Sequence, residues 1–240
     1  MVATAAATPA DDEARRALAL RATLGAARAG ATARWALAVT GLLDVACLVV
    51  ALMDLAYLQT VDGNPTLARA REMNDRAGLL ANVGWIAFGL STMYLTRWFQ
   101  SSWRAALATG GHPGVARRGL PFMRPYERLR ALDQALDPDR VVEPPPQPQT
   151  AEHAGDYRTP AVAPRPRGQV GPAPLLAWWV LWLGCTGILV FRWLSKVSWT
   201  DAKELDALAS ALGVGAQALA FVFVTRMVAR LQERTRRAFP

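Results

Sequence analysis

Four long stretches of this chain are almost free of charge, and everything between them is polar or proline-rich. They run from Ala36 to Leu58, Ala77 to Thr96, Leu175 to Phe191 and Leu205 to Thr225. A helix crosses the hydrocarbon layer of a bilayer in about 20 residues, within a range of roughly 17–25. The third stretch is the shortest; Trp193 and Leu194 lengthen it if Arg192 snorkels to the interface. Strands of this length, rich in Ala and Leu, would leave unpaired edges in lipid, whereas a helix satisfies its own backbone. Four such runs exceed what a soluble core needs in 240 residues. The expectation is an all-α integral membrane four-helix bundle.

Charge then sets the orientation. Of 27 basic residues, all but Lys196 and Lys203 are Arg. The N-terminal tail, the stretch from Arg97 to Ala173 and the C-terminal tail together hold 21 of them, against six between the paired runs. By the positive-inside rule both termini and the long middle loop are expected in the cytoplasm of a bacterium, with the protein in its inner (plasma) membrane. The six basic residues of the other side are balanced by Asp62, Glu72, Asp75, Asp201, Glu204 and Asp206. The excess positive charge therefore reads as topology plus attraction to anionic lipid at the cytoplasmic face, and not as a nucleic-acid surface. The first apolar run is too long for an ordinary signal-peptide core, so no cleavable signal is expected.

Outside the runs, Thr8-Pro9 followed by Asp11, Asp12 and Glu13 resembles a helix start, and a helix over Pro9 to Ala29 is expected. Arg97 to Thr109 continues the second helix, with Trp98 and Trp103 as interfacial anchors, until Gly110-Gly111-His112-Pro113-Gly114 stops it. Tyr126, Leu129, Leu132 and Leu136 recur at helical spacing, predicting a short amphipathic helix from Pro125 under the bundle. Pro138 to Pro174 contains ten prolines and reads as a disordered or extended linker. Four segments follow: 1–34, cytoplasmic and partly helical; 35–137, a first transmembrane hairpin with interfacial helices; 138–174, the proline-rich linker; 175–240, a second hairpin and basic tail. The two hairpins are thus joined by a cytoplasmic loop.

Several local patterns from the second run onward are shared with a known family. They are Arg97-Trp98 with Trp103-Arg104, Pro121-Phe122-Met123-Arg124-Pro125-Tyr126, Leu175-Leu176-Ala177-Trp178-Trp179-Val180-Leu181-Trp182, Thr225-Arg226-Met227 and Gln232-Glu233-Arg234. In order and spacing they resemble domain of unknown function 4328, an uncharacterised bacterial family of small multi-span membrane proteins. The resemblance covers roughly Arg34 to Arg237. The chain departs from the family pattern at Ser101 and Ser102, where an Asn is usual, and lacks a Trp just before Pro121. What the resemblance implies is an integral membrane module with a variable proline-rich segment.

Ionisable and amide groups inside the runs are the candidate functional residues. Asp44 and Asp54 lie about 15 Å apart along one helix and share a broad face. An ionised Asp at the depth of Asp44 is costly unless paired, wetted or protonated. It can be interhelical glue, with Asn82, Gln217, Ser91 or Thr186 as partner, or a proton or cation relay. Asp54 is a candidate on the same grounds; the alternative for it is a place near the outer interface, which would need no special account. Asn82 and Gln217 complete a candidate intramembrane polar site and are read first as packing contacts. Ala209-xxx-Gly213 and Ala216-xxx-Ala220 permit close helix approach, within the chain or in a homo-oligomer. Trp178, Trp179 and Trp182 are expected in an interfacial belt.

No residue is assigned a catalytic, cofactor-binding or metal-binding role. Cys47 and Cys185 fall in apolar runs as small hydrophobes, and His112 and His153 lack metal-site neighbours. The sequence therefore predicts no enzyme and no cofactor, but a noncatalytic membrane scaffold or interaction protein with a membrane or cytoplasmic protein partner. The alternative is a small proton- or cation-coupled transporter or channel using Asp44.

Overall fold

A computed structural model describes residues 9–110, 124–136 and 173–238, and the proline-rich linker expected at 138–174 lies almost wholly outside them. The described residues are all-α: α1 (Pro9–Thr60), α2 (Leu67–Ala108), α3 (Arg124–Ala135), α4 (Ala173–Leu194) and α5 (Trp199–Ala238). Four of these, α1, α2, α4 and α5, are long and apolar enough to cross a membrane. The chain is a multi-span membrane protein. Its outward surface carries the apolar side chains that lipid would cover, among them Trp35, Leu42, Trp85 and Ile86.

The helices end where the local chemistry demands it. At the end of α1 the chain turns through Asp62 and Gly63, both with positive φ, and the Gly63 N–H returns to the Leu58 carbonyl at 2.9 Å. Thr66 then caps α2 by accepting from the Arg69 N–H. Ser198 performs the same task for α5, accepting from the Asp201 N–H at 3.2 Å. Gly110 stops α2 in the left-handed region, as its sequence context predicts.

One long antiparallel seam organises the rest. On α1, Ala19, Thr23, Ala26, Gly30, Ala33, Leu37, Thr40, Asp44, Cys47, Ala51, Asp54 and Leu58 follow one another in alternating steps of four and three residues. All are buried except Asp44 and Cys47, which are half-buried. That spacing is a coiled-coil heptad, and it keeps one face turned to a partner for the whole helix. The partner is α5, placed in fixed register by Thr23 opposite Thr235, Gly30 opposite Val228, Gly41 opposite Gln217, Asp44 opposite Gly213 and Asp54 opposite Lys203. Small residues at these positions let the two backbones approach closely.

The other helices flank this pair. α2 runs antiparallel to α1, tied by the Thr40–Ser91 hydroxyl pair and by Ser91 donating to the Ala36 carbonyl at 3.0 Å. α4 lies antiparallel on α5, with Leu181 over Gly215 and Leu212 over Gly184. The two interhelical turns therefore share one end of the bundle, the turn end. The start of α1 and the ends of α2 and α5 share the other, the terminal end.

At the terminal end the structure refines the expectation. The N-terminal helix expected over Pro9 to Ala29 is part of one 52-residue helix with the first run, about 78 Å long by helical rise. α3 begins at Arg124 and packs Tyr126, Leu132, Ala135 and Leu136 inward. The tryptophans of α4 do not all form an interfacial belt. Trp179 is buried, stacks on Trp182 with centroids 5.1 Å apart, and joins Tyr126 and Leu175 in an internal cluster beside Phe223. Trp98, expected as an interfacial anchor, is likewise buried, edge-on to Phe223 and against Gly30.

Candidate functional site: an ion-pair cluster among the membrane helices

At the turn end three helices converge on one carboxylate. Asp54 of α1 is fully buried. Arg76 of α2 donates from Nη2 to its Oδ1 at 2.6 Å. Lys203 of α5, itself 3% exposed, brings Nζ to 2.8 Å from Oδ2 as an ion pair. The α1 heptad aims Asp54 at α5, and the antiparallel α2 carries Arg76 to the same level just before its apolar run.

The cluster extends outward on both sides. Arg76 Nη1 lies 3.9 Å from Glu72, and Glu72 pairs with Arg69 at 2.6 Å. The Arg69 guanidinium in turn sits 5.2 Å over the Tyr57 ring. On the α4 side, Arg192 Nε lies 2.8 Å from Asp206, one turn along α5 from Lys203. Asp54 thus anchors a chain of charges that runs from the helix seam to the surface.

Asp44 lies deeper, about 15 Å from Asp54 along α1. Its carboxylate rests on the bare backbone of Gly213: a Cβ there would meet Oδ2 at 2.8 Å and Cγ at 3.0 Å. Cys47 and, from α4, Cys185 are within its electrostatic reach. None of the four expected partners bonds to it. Ser91 is taken by Thr40 and Ala36, and Thr186 donates to its own-helix Trp182 carbonyl at 2.9 Å. Gln217 lays its stem over Gly41 one turn further along the seam. Asn82 is exposed on the outward side of α2 among Leu79, Val83 and Ile86, and so stands apart from the other three.

Asp54, one of the four candidate polar residues read from the sequence with an interfacial place as the alternative, is the centre of the cluster. Its partners Arg76 and Lys203, with Arg192 and Asp206, count in the sequence only as topology charges balanced across the outer loops. A signal is nonetheless present there: Lys203, Asp206, Ser210, Gly213 and Gln217 follow the same three-and-four spacing as the α1 seam. That spacing places Lys203 and Asp206 on the face of α5 that meets its neighbours.

This geometry corrects the scaffold reading. A carboxylate and a lysine withdrawn from the surface among membrane helices, with half-buried Arg76 beside them, are expensive, and apolar residues would fill the same seam at lower cost. A purely passive scaffold leaves this polar cluster without a role, and intramembrane ionisable groups mark a candidate functional site. Among the described residues no group of three His, Cys, Asp or Glu side chains is placed to hold a metal ion. No family model, curated protein or solved structure matches this chain.

Proposed function

We propose that this protein is a small proton- or cation-coupled membrane transporter or channel. One observation carries the reading: Asp54, fully buried, is held between Arg76 and Lys203 from two other membrane helices. Such a cluster can exchange partners when a charge enters or leaves. Asp44, on the same helix face with no ion pair among the described residues, supplies a second charge position deeper in the bilayer. Intramembrane ionisable groups of this kind mark ion pathways and relays. The reading assigns no covalent chemistry to the protein.

The remaining features fit around this core as proposals. The arginine-rich terminal end faces the cytoplasm of a bacterial inner membrane and meets anionic lipid there. The two hairpins are joined on that side by the proline-rich segment. Small residues on α5 serve the internal seam, which leaves the outward faces of the other helices for a homo-oligomer or a membrane partner.

The test is flux. The full chain is reconstituted into liposomes containing a pH-sensitive dye, and proton and alkali-cation movements are followed under imposed potentials of either sign. Wild type is expected to dissipate an ion gradient faster than empty liposomes, and Asp54→Asn to lose most of that rate. A wild-type rate equal to that of empty liposomes for every ion and polarity would sink the proposal.

A further inference from the structure

α1 runs on well beyond its apolar stretch. That stretch begins at Ala36, and the pairings of Thr40 with Ser91 and Gly30 with Val228 bring the ends of the second and fourth runs, Thr96 and Thr225, close to the same level. Trp35, exposed at that level, fits the membrane–water interface. The helix continues unbroken toward Pro9, so Leu24 and Leu20 stand about 18 and 24 Å further out along it. The headgroup layer is only about 5–8 Å thick on each side of the bilayer. Even at the usual tilt of about 20°, the helix carries both leucines clear of lipid. Leu24 is nevertheless 58% exposed and Leu20 45%.

These leucines lie on a face that no described element covers. Thr23 and Gly30 of the seam meet α5, while Ala36 and Thr40 mark the side of α2. At 3.6 residues per turn, Leu20 and Leu24 fall on the side of the helix turned away from α2. Leu20, Leu24, Ala27 and Ala31 follow in steps of four, three and four, a second heptad beside the one that meets α5. In that heptad Arg21 and Arg28 take e positions and Arg16 a g position, the places where ion pairs form between paired helices. Arg21 and Arg28 are exposed and have no carboxylate partner among the described residues. From Glu13 to Arg34 the helix carries five arginines against one carboxylate.

We propose that this face of α1 docks an acidic amphipathic helix of another protein at the terminal end of the bundle. Charge decides the occupant. A second copy of this chain in parallel register would set Arg16 against Arg21 of the other copy, because a g position meets the e position five residues on. In antiparallel register e meets e, and arginine again faces arginine. Like charges at these positions select against self-pairing. A helix with Leu at a and d and with Glu or Asp at e and g buries both leucines and gives Arg21 and Arg28 their counter-ions. The proposal does not depend on the transport reading, since the docking face lies outside the membrane.

Fluorescence anisotropy tests this on the full chain in nanodiscs of zwitterionic lipid. The probe is a fluorescein-labelled peptide of four heptads with Leu at a and d and Glu at e and g, whose own charges keep it from self-pairing. It is expected to bind wild type at least tenfold more tightly than the variant Leu20→Ser with Leu24→Ser. Arg21→Glu with Arg28→Glu is expected to lose the Glu peptide and to bind the same peptide with Lys at e and g instead. Leu18→Ser is the control: Leu18 is 64% exposed but lies at least about 120° round the helix from both leucines, so binding should not change. All these side chains are exposed, and helix content by circular dichroism checks that each variant stays folded. No binding to wild type, equal binding to the Leu20→Ser, Leu24→Ser variant, or a wild-type preference for the Lys peptide overturns the proposal. A high yield of disulfide-linked dimer from Leu24→Cys, in a background without Cys47 and Cys185 and oxidised mildly in liposomes, overturns it too, by giving the face to a second copy.

Discussion

Asp54 and Lys203 meet across the α1–α5 seam at 2.8 Å, with both side chains almost wholly withdrawn from the surface. Arg76 bonds the other oxygen of the same carboxylate at 2.6 Å. Asp54→Asn leaves Lys203 without its 2.8 Å counter-ion and Arg76 with only the 3.9 Å contact to Glu72. The expected loss is about 3–5 kcal/mol, the range for breaking a buried ion pair from one side. Replacing both partners by apolar residues, as in Asp54→Leu with Lys203→Met, is expected to recover part of that loss, since two desolvation costs disappear together. Unfolding in detergent micelles, run as a double-mutant cycle, measures the coupling. Strictly additive losses would mean that the two charges do not depend on each other.

Glycines separate the seam faces from the lipid-facing ones. A Cβ at Gly30 would lie 2.6 Å from Val228 Cγ2 and 3.2 Å from the Trp98 ring, so Gly30→Ala forces both to move. Overpacking of this kind typically costs about 1–3 kcal/mol. At Gly89 on α2 nothing lies within 4 Å. Gly89→Ala is expected to be neutral or to stabilise by up to about 1 kcal/mol through helix propensity. Thermal unfolding of the two variants side by side checks the sign of the difference.

How far the sequence alone reaches is visible in these residues. Span number, helix class, the α2 extension through Trp103 and the short helix at α3 all follow from runs of one residue type or from local spacing. Such signals are contained in neighbouring residues. Asp54 shows the other case. Whether it is a solvated interfacial carboxylate or a buried one depends on which side chains the other helices bring to it, and Arg76 and Lys203 lie 22 and 149 positions away. Trp179 misleads for the same reason: a Trp near the end of an apolar run is ordinary in an interfacial belt, and only Tyr126 from α3 and Phe223 from α5 make it internal. The seam is the one long-range feature with a local signature. Its three-and-four spacing passes through Ala, Gly, Thr and Asp, which a search for large apolar residues does not register.

The register of that seam can be tested by cross-linking. Thr23 Oγ1 and Thr235 Oγ1 lie 2.8 Å apart, near the terminal end of the antiparallel pair. The variant Thr23→Cys with Thr235→Cys, made in a background without Cys47 and Cys185, is expected to form an intramolecular disulfide on mild oxidation. Mobility on a non-reducing gel reports it. Thr23→Cys paired with Gln232→Cys should give little product, because Gln232 is exposed on another face of α5. Equal yields from the two pairs would place α5 in a different rotation.

Arg234 ties the terminal end together in a way that charge alone would not. It is 7% exposed, and its guanidinium donates from Nη1 to the Ala135 carbonyl at 2.6 Å and from Nε toward the Thr109 carbonyl at 3.5 Å. Those carbonyls belong to the last turns of α3 and α2, where no further helical N–H is available to them. A cation there also complements the negative end of both helix dipoles. One planar side chain thus closes two helix ends onto α5, and Arg230, pairing with Asp133, holds the outer side of α3. Arg234→Lys keeps the charge but replaces a planar fork by a single point donor, so it should reach one carbonyl and release the other. Arg234→Met keeps volume and removes every donor. The expected order of stability is wild type, then Lys, then Met, with the Met variant about 1.5–3 kcal/mol down, the usual range for hydrogen bonds to a charged group. Because Arg234 bonds the ends of both α2 and α3, the loss should appear first as faster proteolysis between α2 and α4, before global unfolding. If Arg234→Met unfolded globally with no earlier cleavage there, the residue would be a core packing element of α5 and not the clasp of α2 and α3.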